Sequence, residues 1–359
     1  MSPNWQHIHE SFALNGNSFS KEELKEVAYS FIKEGHDFEK PIGDFLLDWC
    51  SDKGYLEVFT SGSTGSPKKI TLEKSHMVNS AMATGQYFNL KPNDTALLCL
   101  PATSIAGKMM LVRAMVLGLQ LDYVVPSSQP LPKKRNYDFC AMVPLQAEKS
   151  LEQPQSIKIL ILGGAPVSKS LEKELRKKAN HVFATYGMTE TITHVAVRQI
   201  SPKTDSNFKL LPFVEISQDD RQCLVLNAPR ISDSLIITND IVELINKSSI
   251  KWLGRYDNII NSGGIKLIPE QIEVKLSSLI PERFFVAGIP DDTLGQKLIL
   301  VVEGDNINTK LILDTIKKET ILDRYEIPKQ IFSLDSFIET KSQKINRIMT
   351  LQLLEASIF

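Results

Sequence analysis

Apolar residues recur along the chain at spacings typical of amphipathic helices and of buried strands. In residues 20–34, Leu24 and Phe31 fall on one helical face, and Ser20 with Glu23 forms the capping-box pattern that begins a helix. The same patterns predict helices at 45–50, 73–87, 106–117, 168–179, 269–278, 309–318 and 345–356, and strands at 55–59, 95–100, 121–125, 137–143, 157–162, 182–185, 284–289 and 297–302.

This alternation of strands and helices predicts an α/β fold built on mixed sheets with largely parallel pairing. Residues 191–244 show mostly short strands with polar turns and predict a more β-rich subdomain. Beyond residue 257 the pattern is that of a compact α+β unit of about a hundred residues, a normal size for a small domain. We therefore expect a large N-terminal domain over residues 1–256 and a small C-terminal domain over residues 257–359.

Composition narrows the class of protein. The 359 residues carry a formal net charge of −1, which gives no support to a nucleic-acid partner or an anionic membrane surface. The four cysteines are widely spaced with no CxxC pair, as expected of reduced thiols in a cytosolic protein. No apolar run approaches bilayer length, and no signal-peptide core follows the first residues. We expect a cytoplasmic protein without membrane insertion.

A loop of small and hydroxylated residues follows the strand at 55–59. Its sequence, Thr-Ser-Gly-Ser-Thr-Gly-Ser-Pro-Lys over residues 60–68, suits a phosphate group, because small residues let backbone N–H groups approach an anion and a lysine adds charge. It is not a Walker A loop, since Pro67 stands where glycine is required. It is not a nucleophile elbow either, since no glycine stands two residues before Ser61 or Ser63. The alternative is a solvated turn.

Residues 60–68 resemble the phosphate loop of the adenylate-forming enzymes, which include acyl-CoA synthetases, luciferases and peptide-synthetase adenylation domains. Further motifs of that family follow in order. They are Gly-Gly-Ala-Pro at 163–166, Thr-Tyr-Gly-Met-Thr-Glu-Thr at 185–191, Thr-Asn-Asp at 238–240, Gly-Arg at 254–255, Ser-Gly-Gly at 262–264 and Lys-Ile-Asn-Arg at 344–347. Each motif is weak alone, but their order over residues 58–347 identifies the chain as a member of the family.

The resemblance implies an ATP site. Tyr186 is expected to stack on adenine, Thr189 to contact the α-phosphate, and Glu190 to hold Mg²⁺, while Asp240 and Arg255 reach the ribose. Aromatic faces suit bases, and hard carboxylates suit hard cations. The remaining residues implied at the nucleotide are Thr60, Ser61, Gly62, Ser63, Thr64, Gly65, Lys68, Gly164, Ala165 and Gly187.

The resemblance also assigns the C-terminal domain. Asp257 matches the hinge residue, Gly263 and Gly264 match the loop that faces coenzyme A, and Lys344 matches the catalytic lysine. Thr189 and Glu190 complete the implied catalytic set. Departures from the family pattern are Gln343 in place of glycine, Asn258 in place of aspartate, and Asn239 in place of glycine. Asparagine readily shares the backbone conformations of glycine, so the last change is expected to be mild.

The implied reaction has two steps. A substrate carboxylate attacks the α-phosphate of ATP to give an acyl-adenylate and pyrophosphate, with Lys344 and Mg²⁺ offsetting the negative charge. The C-terminal domain then turns about Asp257 and presents Gly263 and Gly264, and the coenzyme A thiol attacks the acyl carbon. The expected partners are therefore a small carboxylic acid, ATP and coenzyme A.

Residues 98–113 contain the positions that, by the resemblance, would contact the substrate acid. Ser104 stands where many relatives have histidine, and Gly107 follows it. Arg113 lies in an otherwise apolar helix, where a charge is costly unless it is paired. Either Arg113 snorkels or forms an internal salt bridge, or it receives a second carboxylate of the substrate. Thr191 and His194 are plausible polar lining; His194 is equally explained as a satisfied strand residue.

The spacing of Arg113 from Gly107, together with residues 8–16 and 106–110, is similar to short o-succinylbenzoate–CoA ligases of menaquinone biosynthesis. We therefore expect an o-succinylbenzoate–CoA ligase with a shortened N-terminus. The alternatives are a ligase for another aryl or short-chain acid, a carrier-loading adenylation enzyme, and a non-catalytic adenylate-binding regulator. Retention of Lys68, Glu190 and Lys344 argues against the regulator.

Overall fold

The structure, a computed structural model, describes residues 4–60, 68–133, 135–153, 157–178, 180–339 and 345–358. Its helices are α1 (Lys21–Lys33), α2 (Lys40–Cys50), α3 (Lys74–Phe88), α4 (Ile105–Leu117), α5 (Pro144–Lys149), α6 (Lys169–Leu175), α7 (Pro269–Leu276), α8 (Thr309–Lys318) and α9 (Arg347–Ile358). Within these described ranges, no helix is long and apolar enough to cross a membrane.

The strands of the N-terminal part are β1 (Ala13–Leu14), β2 (Asn17–Ser18), β3 (Tyr55–Thr60), β4 (Lys68–Glu73), β5 (Thr95–Leu98), β6 (Gln120–Tyr123), β7 (Tyr137–Met142), β8 (Ile157–Leu162), β9 (His181–Gly187), β10 (His194–Ser201), β11 (Phe208–Leu210), β12 (Glu215–Gln218), β13 (Cys223–Asn227), β14 (Ile236–Asn246) and β15 (Ser249–Arg255). Those that follow are β16 (Ile260–Ser262), β17 (Ile265–Leu267), β18 (Phe284–Asp291), β19 (Gly295–Glu303) and β20 (Gln330–Leu334).

One large sheet dominates the fold. Its strand order over the described residues is β12-β13-β14-β15-β11-β10-β9-β8-β7-β5-β6-β1-β2. Pairing is parallel from β9 through β8, β7, β5 and β6 to β1, and antiparallel from β9 through β10 to β12. The change of direction falls at β9, and crevices at the carboxyl ends of parallel strands are where such sheets bind ligands. The predicted mixed α/β fold with a β-rich second part is confirmed.

Hydrophobic residues cover both faces of the parallel strands. Along β5, Ala96 and Leu98 belong to one core cluster, while Leu97 and the following Cys99 belong to another. Successive side chains of a strand point to opposite faces, so the two clusters lie on the two sides of the sheet. Burial on both faces explains why these strands read as continuous apolar runs.

A second, smaller sheet contains β16 to β20, with β18 and β19 pairing over their whole lengths. Its residues also alternate between two clusters: Val286 and Leu300 pack on one side, Phe285 and Val301 on the other. The C-terminal segment thus has its own α+β core. A domain boundary near Asp257 stays a prediction.

The N-terminal segment adds an element that periodicity did not predict. The two-residue strand β1 pairs in parallel with β6 and extends the large sheet, and Phe12, Ala13 and Leu14 are fully buried. Two residues are too few for a strand pattern, so their conformation comes from pairing with the sheet. By contrast α1 begins as predicted, because the capping box of Ser20 and Glu23 is formed.

The start of α4 requires a close approach between backbone segments. A Cβ atom added to Gly107 would lie 2.3 Å from the carbonyl oxygen of Pro101. Real Cβ atoms essentially never come so close to backbone, so the loop before α4 must move if Gly107 is replaced. The helix then ends at Gly118, whose φ of 73° is in the left-handed region.

Gly107→Ala is therefore expected to lower the free energy of unfolding by about 2–4 kcal/mol, through strain between α4 and the preceding loop. Urea unfolding followed by circular dichroism measures it. Gly54→Ala is the matched control, since the nearest atom to its added Cβ lies 3.9 Å away. Equal stability of the two variants would contradict the steric account.

Candidate active site

Several motif residues meet where β8 and β9 end. Gly163 and Gly164 follow β8, and Gly164 has a φ of +82°. A Cβ at Gly163 would lie 2.6 Å from the hydroxyl oxygen of Thr185 on β9, so a side chain there would push the two strand ends apart. Ala165 is exposed beside this turn. The glycine pair thus leaves an open edge of backbone beside the end of β9.

The end of β9 carries Tyr186 and Gly187, followed by one 3-10 turn at Thr189–Thr191. A Cβ at Gly187 would lie 2.2 Å from the carbonyl oxygen of Thr193, so the turn folds back directly over this glycine. Ile192 closes the turn with a φ of 63°, a strained value for a β-branched residue. Strain of this kind persists only where the surroundings enforce it.

Thr191 is one of those surroundings. Its hydroxyl accepts a hydrogen bond from the Met188 amide at 2.9 Å, and its oxygen lies 2.5 Å from the carbonyl of Thr193, to which it donates. Ser104 behaves similarly: its hydroxyl caps α4 by accepting from the Gly107 amide at 3.1 Å and donates to the Pro101 carbonyl. Both hydroxyls serve the backbone, and their predicted contacts with a substrate stay predictions.

Tyr186, Asp240 and Arg255 come together as one cluster. The Tyr186 hydroxyl donates to Asp240 at 2.7 Å, and the Trp252 indole N–H donates to the other carboxylate oxygen at 3.2 Å. Arg255 lies 3.5 Å from the same carboxylate. Burial and the Asp240 charge raise the pKa of Tyr186, so its hydroxyl remains a donor. The cluster presents an aromatic ring beside a fixed carboxylate. No motif in the sequence pointed to Trp252.

Glu190 is exposed at the 3-10 turn. In the described part of the chain no hydrogen bond or ion pair involves its carboxylate. No group of three or more histidine, cysteine or acidic residues capable of holding a metal occurs there either. A cation at Glu190 would therefore draw its other ligands from phosphate oxygens and water, which is the way Mg²⁺ is usually held beside nucleotides.

Other predicted residues lie apart from this cluster or outside the described residues. Gly263 and Gly264 form the β16–β17 turn with φ values of 60° and 81°, and no atom lies within 4 Å of a Cβ built at Gly264. Strands β3 and β4 pair up to Thr60 opposite Lys68, which brings the two ends of the phosphate loop together. Outside the described residues lie Ser61, Gly62, Ser63, Thr64, Gly65 and Lys344.

Arg113 is the most deeply buried charge at the site, with 1% of its surface exposed. Its guanidinium donates to the hydroxyls of Thr84 at 3.4 Å and Thr193 at 3.3 Å, and to the Met110 sulfur at 3.7 Å. Burial lowers its pKa to about 9, which leaves the group charged at neutral pH. Among the described residues it has no acidic partner. The internal salt bridge considered from the sequence is therefore absent from this part of the chain.

His194 lies beside the guanidinium. Arg113 Nη2 is 3.4 Å from His194 Nδ1, and because a guanidinium only donates, Nδ1 must accept. Burial and the Arg113 charge hold the pKa of His194 well below its usual value, so the ring is neutral with its proton on Nε2. Nε2 is buried and has no hydrogen-bond partner among the described residues. The His194 ring thus has an Nε2–H without a partner next to the Arg113 guanidinium, whose own hydrogen bonds are long. The structure therefore does not support the satisfied strand residue that the sequence allowed.

The chain is similar to known proteins in sequence and in fold. The family described as AMP-binding enzyme matches residues 46–222. A solved acyl-CoA synthetase (AMP-forming)/AMP-acid ligase II-like protein from Dyadobacter fermentans is 34% identical, with a TM-score of 0.60, over 92% of this chain and 98% of that one. The chain belongs to this family of adenylate-forming enzymes.

More distant relatives carry a more specific name. A 2-succinylbenzoate–CoA ligase from Bacillus cytotoxicus is 25% identical over 83% of this chain and 70% of its own length. The o-succinylbenzoate coenzyme A synthetase from Bacillus subtilis, solved with ATP and magnesium, is 21% identical with a TM-score of 0.72, over 93% of this chain and 82% of that one. The second likeness shows the fold. At family level, the prediction of an AMP-forming acyl- or aryl-CoA ligase is confirmed.

The neutral state of His194 generates a pH prediction. The unfolded ring binds a proton below its usual pKa of 6.5 while the folded ring does not, so acidification favours unfolding. Between about pH 7.5 and about pH 5.5 we expect His194 to contribute a loss of about 1.4 kcal/mol in the free energy of unfolding.

Urea titrations at both pH values measure this loss. His194→Gln should flatten the pH dependence by that amount, whereas His181→Gln, at an exposed histidine of β9, should leave it as in the wild type. An unchanged pH dependence in His194→Gln would show that the ring is not held neutral.

Proposed function

We propose that this ligase activates a dicarboxylic aryl acid, most simply o-succinylbenzoate, with ATP and transfers the acyl group to coenzyme A. The observation that carries the choice of acid is the Arg113 guanidinium, buried without an acidic partner among the described residues. The 2-succinylbenzoate–CoA ligase names of relatives such as that from Bacillus cytotoxicus support the same acid and, with it, menaquinone biosynthesis.

The contacts of Arg113 explain why a second carboxylate fits. Its partners are two neutral hydroxyls, a ring nitrogen and a sulfur, all at 3.3 Å or more. Good N–H···O bonds have a mode near 2.9–3.0 Å, and bonds to a charged acceptor are shorter still. A planar guanidinium matches a carboxylate through two parallel bonds. A substrate carboxylate would therefore supply the charge partner that the described residues do not.

His194 and Thr193 would complete this acid-binding group. The Nε2–H of His194 has no partner among the described residues, and the Thr193 hydroxyl lies on the same guanidinium nitrogen. A carboxylate is an acceptor only, so every side chain here that has an unused proton can donate to it. An acid without a second oxygen function would leave these donors unpaired in a buried place, which is costly.

On the nucleotide side we assign Tyr186 to the adenine, Asp240 and Arg255 to the ribose, and Thr189 to the α-phosphate. Their cluster at the carboxyl end of β9 supports this assignment. The phosphate loop of residues 60–68 would hold the other phosphates. Glu190 would hold Mg²⁺, and the ion, when bound, neutralises charge on the phosphate oxygens.

In the first step a carboxylate oxygen attacks the α-phosphorus, the bond to the bridging oxygen breaks, and pyrophosphate leaves with the electron pair. We assign Lys344 to the charge that develops there. In the second step the coenzyme A sulfur attacks the acyl carbon and AMP leaves. We propose that residues 257–359 form a mobile domain that turns about Asp257 between the steps and brings Gly263 and Gly264 to the site.

The test is a comparison of two acids. Arg113→Leu should raise KM for o-succinylbenzoate by about a hundredfold, through loss of charge-assisted hydrogen bonds, while KM for benzoate stays close to the wild-type value. Acid-dependent pyrophosphate release measures both constants. Replacing a buried unpaired charge with leucine should not lower the free energy of unfolding, which urea titration checks.

Arg113→Lys is the companion variant. It keeps the charge and loses the planar fork, so its effect should lie between wild type and Arg113→Leu. Equal losses for the two acids in Arg113→Leu would assign Arg113 to structure and remove the basis for a dicarboxylate.

A further inference from the structure

Two departures from the family pattern, Asn239 and Asn258, lie next to Asp257: Asn239 contacts its carboxylate, and Asn258 follows it in the chain. Asn239 lies inside β14 and is not among the residues with positive φ, so the exchange is not explained by glycine-like backbone as the sequence suggested. Its amide Nδ2 instead donates to both carboxylate oxygens of Asp257, at 3.0 Å and 3.3 Å. Glycine at this position would have no such contact.

The orientation of the Asn239 amide is fixed by Arg221. Arg221 Nη1 donates to Asn239 Oδ1 at 2.9 Å, and Nη2 donates to the Thr238 carbonyl at 3.2 Å. Since a guanidinium only donates and a carboxylate only accepts, the amide oxygen must face Arg221 and the amide nitrogen must face Asp257. Arg221 is itself held by Asp219, which accepts from its Nε at 2.9 Å.

Asn258, the other departure, contacts the C-terminal segment instead. Its Nδ2 donates to Glu270 Oε1 at 2.5 Å, and Glu270 begins α7 of the C-terminal segment. Asp257 is thus held on one side by Asn239 of β14, while the next residue is bound to α7. Arg255 also donates to Asp257 at 2.8 Å. The predicted hinge is bridged by side chains from both segments.

We infer that Asn239, oriented by Arg221, is a positioning residue that ties Asp257 in the pose seen here and so sets the balance between the two half-reactions. The inference rests on the proposed function, because Asp257 matters only if the C-terminal segment turns about it. We expect a turn that changes the backbone at Asp257 to break the Asn239 contact. The Asn239–Asp257 hydrogen bond stabilises the present pose relative to the rotated one by the free energy of one exposed hydrogen bond to a carboxylate.

The first test measures local opening of the backbone around Asp257 and needs no catalytic turnover. Asn239→Ala should raise amide hydrogen exchange over residues 254–260 by about threefold to tenfold, the range expected for one such bond. Asn227→Ala is the matched control, since Asn227 makes the same kind of exposed bond, to Glu215 at 2.9 Å, in the same sheet.

The second test measures the ratio of the rates of the two half-reactions. Acid-dependent ATP–pyrophosphate exchange and single-turnover thioester formation should change in opposite directions in Asn239→Ala, altering their ratio by about threefold to tenfold. Asn239→Gln, which keeps an amide donor, should recover part of the wild-type ratio. Equal loss of both half-reactions, or unchanged exchange at the hinge, would overturn the inference.

The two tests separate this inference from the proposed function. A wild-type protein that converts no acid would refute the function, and hydrogen exchange would still decide whether Asn239 holds Asp257. A changed hinge with an unchanged ratio of half-reactions would refute the claim that the tie sets the balance.

Discussion

A charged group buried without an opposite charge among the described residues is the constraint on which the proposed acid-binding site depends. Arg113 lies in the apolar helix α4, reached only by hydroxyls, a sulfur and a histidine ring among the described residues. Removing a guanidinium from water costs several kcal/mol unless something compensates. Its neutral hydrogen-bond partners offset part of that cost but supply no opposite charge. Leucine at this position would be expected to give a more stable core. The arrangement makes sense if the missing partner arrives with the substrate.

The cluster around Asp240, which we assign to the nucleotide, differs from Arg113 because its charges are already paired. Asp240 receives Tyr186, Trp252 and Arg255, and the turn after β9 is held by the Thr191 hydroxyl against the strain at Ile192. A rigid, satisfied cluster suits a cosubstrate that is the same in every turnover. The two sides share one short segment, since Thr193 and His194 follow directly on the turn that carries Glu190. The proposed acid-binding group therefore lies close in the chain to the proposed nucleotide site.

The fold could largely be predicted because long elements carry their own signals. The capping box of Ser20 and Glu23 was predicted and is formed, and the helix predicted at 106–117 ends at Gly118. The strand β1 was not, because two residues have no period and take their shape from β6. At the site, the order of the motifs pointed to Tyr186 and Asp240. The motifs could not show that the Ser104 and Thr191 hydroxyls are used by backbone groups. Neither the use of Thr84 by Arg113 nor the tie from Asn239 to Asp257 has a local sequence signal, since each joins distant segments.

We propose that this adenylate-forming enzyme ligates coenzyme A to an acid with a second carboxylate. The most direct measurement is pyrophosphate release with MgATP and coenzyme A across o-succinylbenzoate, benzoate and succinate, with the thioester identified by mass. We expect kcat/KM for o-succinylbenzoate to be at least about tenfold above that for benzoate, since benzoate would leave the donors at Arg113 unpaired. Benzoate turned over as efficiently as o-succinylbenzoate would contradict it, because the buried guanidinium would then have no part in choosing the acid.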